Sequence, residues 1–177
     1  MSKGFTLWFT GLSGAGKTTV SARVAEILKR RGLPVEVLDG DVVRQNLTAK
    51  LGFSKEDRDE NIRRIGWICE LLTRNGVATL AAAISPYREA RDKVRALVQP
   101  FVLVFCDAPI AVLAERDVKG LYKKALAGEI KHFTGVDDPY EPPESPDVHL
   151  DTAHTSVEHC VGQVMAVLEA RGLVSRS

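Results

Sequence analysis

Short runs of uninterrupted apolar residues alternate along the chain with longer stretches whose apolar positions recur every three or four residues. Residues 5–10, 77–84 and 101–106 are runs of the first kind, and residues 34–38 and 148–150 are shorter, β-branched examples. Residues 17–31 carry Val20, Val24, Ile27 and Leu28 on one helical face, with Gly32 as the stop. Ser54 reads as the N-cap of a helix that runs to about Asn75 and ends at Gly76. Pro86 and Pro109 each follow a strand at or near a helix start, and a last helix aligns Val157, Val161, Val164 and Leu168. Continuously apolar strands separated by amphipathic helices predict an α/β, three-layer fold. Its mostly parallel, five-stranded sheet has helices on both faces. One irregular segment, residues 128–146, is too long for a plain connection and reads as a lid or binding loop.

Composition narrows the class. The 177 residues suit a single domain, 1–177, and no repeat or linker divides them. The net charge of +1 implies no polyanion-binding surface, hence no nucleic acid, so phosphate affinity must come from local clusters. The longest apolar run, residues 77–84, is too short for a membrane span. Met1-Ser2-Lys3-Gly4 leads straight into a strand without the pattern of a signal peptide. Cys69, Cys106 and Cys160 are widely spaced within apolar segments and read as buried reduced thiols, fitting the cytoplasm. The four histidines show no metal-ligand spacing.

Gly11-Leu12-Ser13-Gly14-Ala15-Gly16-Lys17-Thr18 matches G-x-x-x-x-G-K-[ST] between a predicted strand and a predicted helix. In such a P-loop, glycines let successive backbone N–H groups turn inward onto phosphates, and the following helix presents its positive end. Lys17 is expected at the β- and γ-phosphates and Thr18 at Mg²⁺, which makes Mg-ATP the implied cofactor. No N-K-x-D guanine-reading motif occurs, and Asp117-Val118-Lys119-Gly120 is a poor stand-in for the GTPase D-x-x-G. Size and pattern favour a P-loop kinase of small molecules.

Asp39-Gly40-Asp41 closes the second strand, where carboxyl ends of parallel strands gather ligands. The two acids are candidates for Mg²⁺ or water ligation, or for the base that meets an attacking hydroxyl, with helix N-capping as the plainer alternative. Arg44, a turn later, is a candidate clamp for an acceptor phosphate. Arg58 falls in line with the apolar stripe Ile62, Ile65, Cys69 and Leu72, with Asn61 at its edge. An arginine there needs a partner, either a bound anion or a buried Asp or Glu.

Several further runs make the chain resemble the adenylylsulfate kinase family over nearly its whole length. They include Leu51-Gly52-Phe53-Ser54, Asp57-Arg58-Asp59-Glu60-Asn61-Ile62-Arg63-Arg64 and Ile84-Ser85-Pro86-Tyr87-Arg88. Glu115-Arg116-Asp117-Val118-Lys119-Gly120-Leu121-Tyr122-Lys123-Lys124, Gly128-Glu129-Ile130-Lys131, Phe133-Thr134-Gly135 and Asp137-Asp138-Pro139-Tyr140-Glu141 complete the set. The resemblance implies transfer of the γ-phosphate of Mg-ATP to the 3′-hydroxyl of adenosine 5′-phosphosulfate, in a cytoplasmic homodimer. It implies that Phe53 and Phe133 sandwich the acceptor's adenine; the residues alone also allow two ordinary core phenylalanines. It assigns Arg44, Arg58 and Asn61 to the phosphosulfate. Ile84, Ser85, His132 and, from a lid over about 119–146, Lys119 go to the acceptor pocket. Thr19 and Arg116 join the nucleotide site, Asp41 orients or deprotonates the 3′-hydroxyl, and Asp39 supports Mg²⁺. Ser85 matches a serine proposed elsewhere in the family as a phosphoserine intermediate. Direct in-line transfer needs only positioning and charge stabilisation, and a serine before proline also serves as a helix cap. Val42, His132 and Ala83 depart from the usual family residues. The competing readings are a P-loop kinase for another acceptor, such as a sugar acid or nucleoside, and a nucleotide-binding regulator without catalysis.

Overall fold

The computed structural model describes residues 4–175; Met1 to Lys3, where no signal-peptide pattern is expected, lie outside the described residues. The elements run β1 (Phe5–Thr10), α1 (Lys17–Arg30), β2 (Val35–Asp39), α2 (Gly40–Asn46), α3 (Lys55–Arg74) and β3 (Ala78–Ala82). They continue with α4 (Arg88–Leu97), β4 (Phe101–Asp107), α5 (Ile110–Arg116), α6 (Leu121–Leu126), β5 (Val148–Asp151) and α7 (Val157–Ala170). The sheet order is β2-β3-β1-β4-β5, and every pairing is parallel, which tightens the expectation of a mostly parallel sheet. Parallel pairing follows from the crossovers, since each strand returns through at least one helix.

Strand alternation sorts the core into two layers. Phe5, Leu7 and Phe9 point to one face of β1, where α1 and α7 supply Val20, Val24, Leu28, Val161, Val164 and Leu168. Trp8 points to the other face, against Ile62, Ile65 and Cys69 of α3 and Val94 of α4. The α3 stripe departs slightly from expectation. Leu72 is only half-buried, and Thr73 takes the inner position, its hydroxyl 2.7 Å from that of Thr6. A helix of this length drifts relative to a flat face, so its last turn presents a different residue. Gly66 lets α3 approach α4, since a Cβ there would come within 2.7 Å of a Val94 methyl.

β3 stops at Ala82, short of the expected residue 84. Ala83 still donates its N–H to Phe9 O at 3.2 Å, and then the chain leaves the sheet through Ser85, whose φ is 44°. Tyr87, not Ser85, occupies the N-cap position of α4, without a side-chain cap. The helix-cap alternative for Ser85 therefore fails, because a left-handed φ points its hydroxyl elsewhere. β1 lies at the centre of the sheet, so its carboxyl end meets the point where the chain winds off in both directions.

Candidate active site

The cradle grows directly out of β1. Gly11 has φ 147°, and a Cβ there would lie 2.3 Å from Cys106 O, so no larger residue fits between β1 and β4. Gly14 and Gly16 follow at φ 76° and 88°, in the left-handed region that glycine enters without strain. α1 then begins at Lys17 with Gly16 as an N-cap that offers no side-chain bond, and no acid occupies its first turn. The first amides of that helix are thus free of a capping side chain and favour an anion. Lys17 is 9% exposed and donates to Gly11 O at 2.8 Å and Leu12 O at 2.7 Å. Burial pulls its ammonium down to about 8. A phosphate facing it would restore the charged form.

Thr18 and Asp39, the two predicted metal residues, meet: the Thr18 hydroxyl donates to Asp39 Oδ2 at 2.7 Å. Asp39 also caps α2, its Oδ1 accepting from Asp41 N at 3.0 Å, so the capping alternative holds for Asp39 alongside its place in the crevice. A hydroxyl and a carboxylate on exposed ground form a hard-oxygen pair, which fits Mg²⁺ sharing its shell with phosphate and water. Asp41, in the first turn of α2, pairs with Lys119 Nζ across the crevice. Thr19, next to Thr18 in α1, is exposed. Arg116 donates to Thr152 O at 2.8 Å, and Thr152 borders Gly16, so Arg116 reaches the cradle through the β5–α7 turn.

On the acceptor side, side chains from three segments interlock. Arg44 of α2 donates to Leu51 O at 2.7 Å and Gly52 O at 2.5 Å, and its guanidinium lies 4.2 Å from the centre of the Phe53 ring. Phe53 is 54% exposed, so it is not a core residue. Arg58, whose side chain is 10% exposed, spans from α3 to the lid. It donates to Phe53 O at 2.9 Å, Thr134 Oγ1 at 2.7 Å, His132 O at 2.5 Å and Asp138 Oδ2 at 3.0 Å. The acid partner weighed from the sequence is therefore present in Asp138.

His132 sits at φ 57°, held by Asp137, whose carboxylate accepts from His132 N and from Phe133 N, each at 2.7 Å. Phe133 packs on the core and meets Tyr122 edge to face at 5.0 Å, unlike the open Phe53. Asn61 accepts from Thr48 Oγ1 at 2.7 Å, and Ile84 O accepts from Thr10 Oγ1 at 2.7 Å; neither is among the hydrogen-bond partners of Arg58 given above. Ser85 is 2% exposed, and its hydroxyl bonds with Trp8, Thr10 and Ala83.

Contacts missed from the sequence fasten the lid to the cradle. Tyr122 Oη donates to Ser13 O at 2.7 Å, and burial pushes this phenol up to about 12. Gly135, at φ 91°, lies against the Leu12 side chain. A cavity of about 630 Å³ opens between Leu12, residues 105–110 and residues 135–140. Lys17, Asp41, Phe53 and Arg58 do not line it.

The family model for adenylylsulphate kinase matches residues 3–151. The adenylyl-sulfate kinase of Synechococcus sp. (strain JA-2-3B'a(2-13)) is 62% identical over 172 residues, covering 97% of this chain and 98% of the relative. That of Gloeothece citriformis (strain PCC 7424) is 58% identical over 170 residues, covering 96% of this chain and 97% of the relative. Among solved structures, the Mycobacterium tuberculosis APS kinase CysC in complex with AMPPNP and APS is 44% identical, with a TM-score of 0.91. It is matched over 96% of this chain and 99% of its own.

Proposed function

The chain belongs to the adenylylsulphate kinase family, and from that premise we propose a role for each side chain of the crevice. The enzyme transfers the γ-phosphate of Mg-ATP to the 3′-hydroxyl of adenosine 5′-phosphosulfate, giving 3′-phosphoadenosine 5′-phosphosulfate and ADP. The observation that carries the assignment of roles is the meeting of a backbone phosphate cradle with an arginine–phenylalanine cluster across one crevice, bridged by the Asp41–Lys119 pair.

Gly11, Leu12, Ser13, Gly14, Ala15 and Gly16 wrap the β- and γ-phosphates with amides, while Lys17 supplies the cation that meets charge developing on the transferred group. Thr19 and Arg116 border the nucleotide. Thr18 and Asp39 would hold Mg²⁺, which, when bound, neutralises the phosphate oxygens. Phe53 and Phe133 take the acceptor's adenine between them. Arg44, Arg58 and Asn61 receive its phosphosulfate, an anion that competes with Asp138 for Arg58. Ile84, Ser85, His132 and Lys119 close the acceptor pocket.

Asp41 accepts the proton of the 3′-hydroxyl as its oxygen attacks the γ-phosphorus, and the bond to the β-phosphate oxygen breaks in line. No covalent enzyme intermediate is needed. The burial of the Ser85 hydroxyl supports direct transfer. We extend the reading to a single working domain, 1–177, with its lid over about 119–146, acting as a homodimer in the cytoplasm. No helix among the described residues is long and apolar enough to cross a membrane.

The test offers purified protein with labelled Mg-ATP and a panel of adenylylsulfate, gluconate and nucleosides. The reading predicts label on adenylylsulfate alone. Transfer to gluconate or a nucleoside instead supports a kinase of another acceptor, and binding without turnover supports a regulator.

A further inference from the structure

Beneath the crevice, on the α3/α4 side of the sheet, runs a buried polar chain that the roles above use only at Ile84 and Ser85. Trp8 Nε1 donates to Ser85 Oγ at 3.0 Å, and Ser85 Oγ lies 3.0 Å from Thr10 Oγ1. Thr10 Oγ1 lies 2.7 Å from Ile84 O and 2.9 Å from the Tyr140 hydroxyl. Proton counting fixes the directions. A carbonyl can only accept, so the single Thr10 proton goes to Ile84, and Tyr140 must donate to Thr10. Burial holds that phenol up at about 12, so the proton stays in place across the working range of pH.

Arg91 closes the arrangement from α4. It is 2% exposed, and its two terminal nitrogens donate to Ser85 O and Glu141 O, each at 2.5 Å. Its guanidinium lies 5.8 Å from the centre of the Tyr140 ring. Among the described residues no carboxylate lies within ion-pair distance of it. A buried cation without an acid is costly, by several kcal/mol unless hydrogen bonds compensate. A packing residue would avoid that burden. Here the charge binds two backbone carbonyls, one at the left-handed Ser85 turn and one at the base of the lid. Glu141 adds two ties to the same turn: its N–H donates to Pro86 O at 2.8 Å, and its Oε2 accepts from Arg88 N at 2.8 Å.

We propose that Arg91 and Tyr140 are positioning residues that fix the lid base to the strand ends on both sides of the crevice, so that donor and acceptor stand in line. Tyr140 reaches the end of β1, one residue before the cradle. Arg91 reaches the Ser85 turn that follows β3, beside the acceptor pocket. Neither touches a reacting atom; each acts through the backbone it holds. The inference rests on the phosphotransfer reading above.

The test measures kcat, both KM values and thermal stability for Tyr140→Phe, Arg91→Met and Arg91→Lys, at a temperature where each is folded. Misalignment by a fraction of an ångström acts on turnover more than on binding. The expected loss in kcat is about 10-fold for Tyr140→Phe and up to about 100-fold for Arg91→Met, with both KM values within about threefold. Arg91→Lys is expected to recover only part of the loss, since one ammonium cannot match a fork spanning two carbonyls. Tyr140→Phe removes one hydroxyl and keeps the ring, so it decides the matter if Arg91→Met fails to fold. Unchanged kcat per folded molecule, with only a lower melting temperature, overturns the proposal. So does a loss confined to either KM. Each variant is scored against wild type on whichever acceptor wild type uses. A wild type that ignores adenylylsulfate therefore sinks the functional reading and not this one.

Discussion

The two sides of the crevice are built by different means. The proposed donor side is built around one contiguous stretch, Gly11 to Thr18, shaped by glycine torsions and the uncapped start of α1, with Lys17 as its buried cation. The acceptor side is assembled from side chains far apart in sequence. Arg58 reaches His132, Thr134 and Asp138 across separations of 74 to 80 residues. A backbone site is shaped by local torsions and survives wherever strand, loop and helix form. A side-chain site exists only once the lid has folded over α3. The first should therefore fail through loss of one charge, and the second through loss of any bridging contact.

Substitutions can break that contrast. The largest effect is expected from Lys17→Ala: removing the one cation of the cradle should lower kcat by about 10³-fold or more, read by label transfer, with the melting temperature little changed. Residual turnover near wild type would end the cradle assignment. Arg58→Ala should raise the KM for adenylylsulfate by about 100-fold while that for ATP stays within about threefold, as expected for losing charged hydrogen bonds on one side only. Phe53→Ala should raise the same KM by about 10-fold through lost stacking. Because the ring is half exposed, its removal should leave stability within about 1 kcal/mol.

The remaining effect is that of pH on the donor side. Lys17 sits near 8 in the free protein, lowered by burial, and bound phosphates favour its charged form. Nucleotide affinity should be flat below about pH 8 and fall above it by up to about tenfold per unit, because the lysine must then take up a proton to bind. Calorimetry across pH 7 to 9.5 checks the sign; affinity that rises with pH would contradict it.

The same contrast explains what the sequence made legible. The cradle was readable because all its parts lie within one motif between a strand and a helix. The two-layer core was readable from apolar runs and helical stripes. The proposed pairing of Phe53 with Phe133 rests on family resemblance, since nothing local in the sequence distinguishes a stacking phenylalanine from a packing one. Burial then separates them: Phe53 is open and Phe133 rests on the core. The Asp138 partner of Arg58 could be named only as an unspecified acid, because no periodicity relates α3 to the lid. Tyr140 escaped notice for a like reason: its bond to Thr10 joins residues 130 apart. Arg91 did leave a signal. It lies between Ala90 and Val94 on the buried face of α4, and the reasoning that singled out Arg58 applies to it equally.

The most direct test of a donor side independent of the acceptor side is calorimetric titration of a non-hydrolysable ATP analogue, with Mg²⁺, into Lys17→Ala and Arg58→Ala. The account predicts that Lys17→Ala loses nucleotide affinity by about 10-fold or more while Arg58→Ala binds within about twofold of wild type. An equal loss in both variants would contradict it.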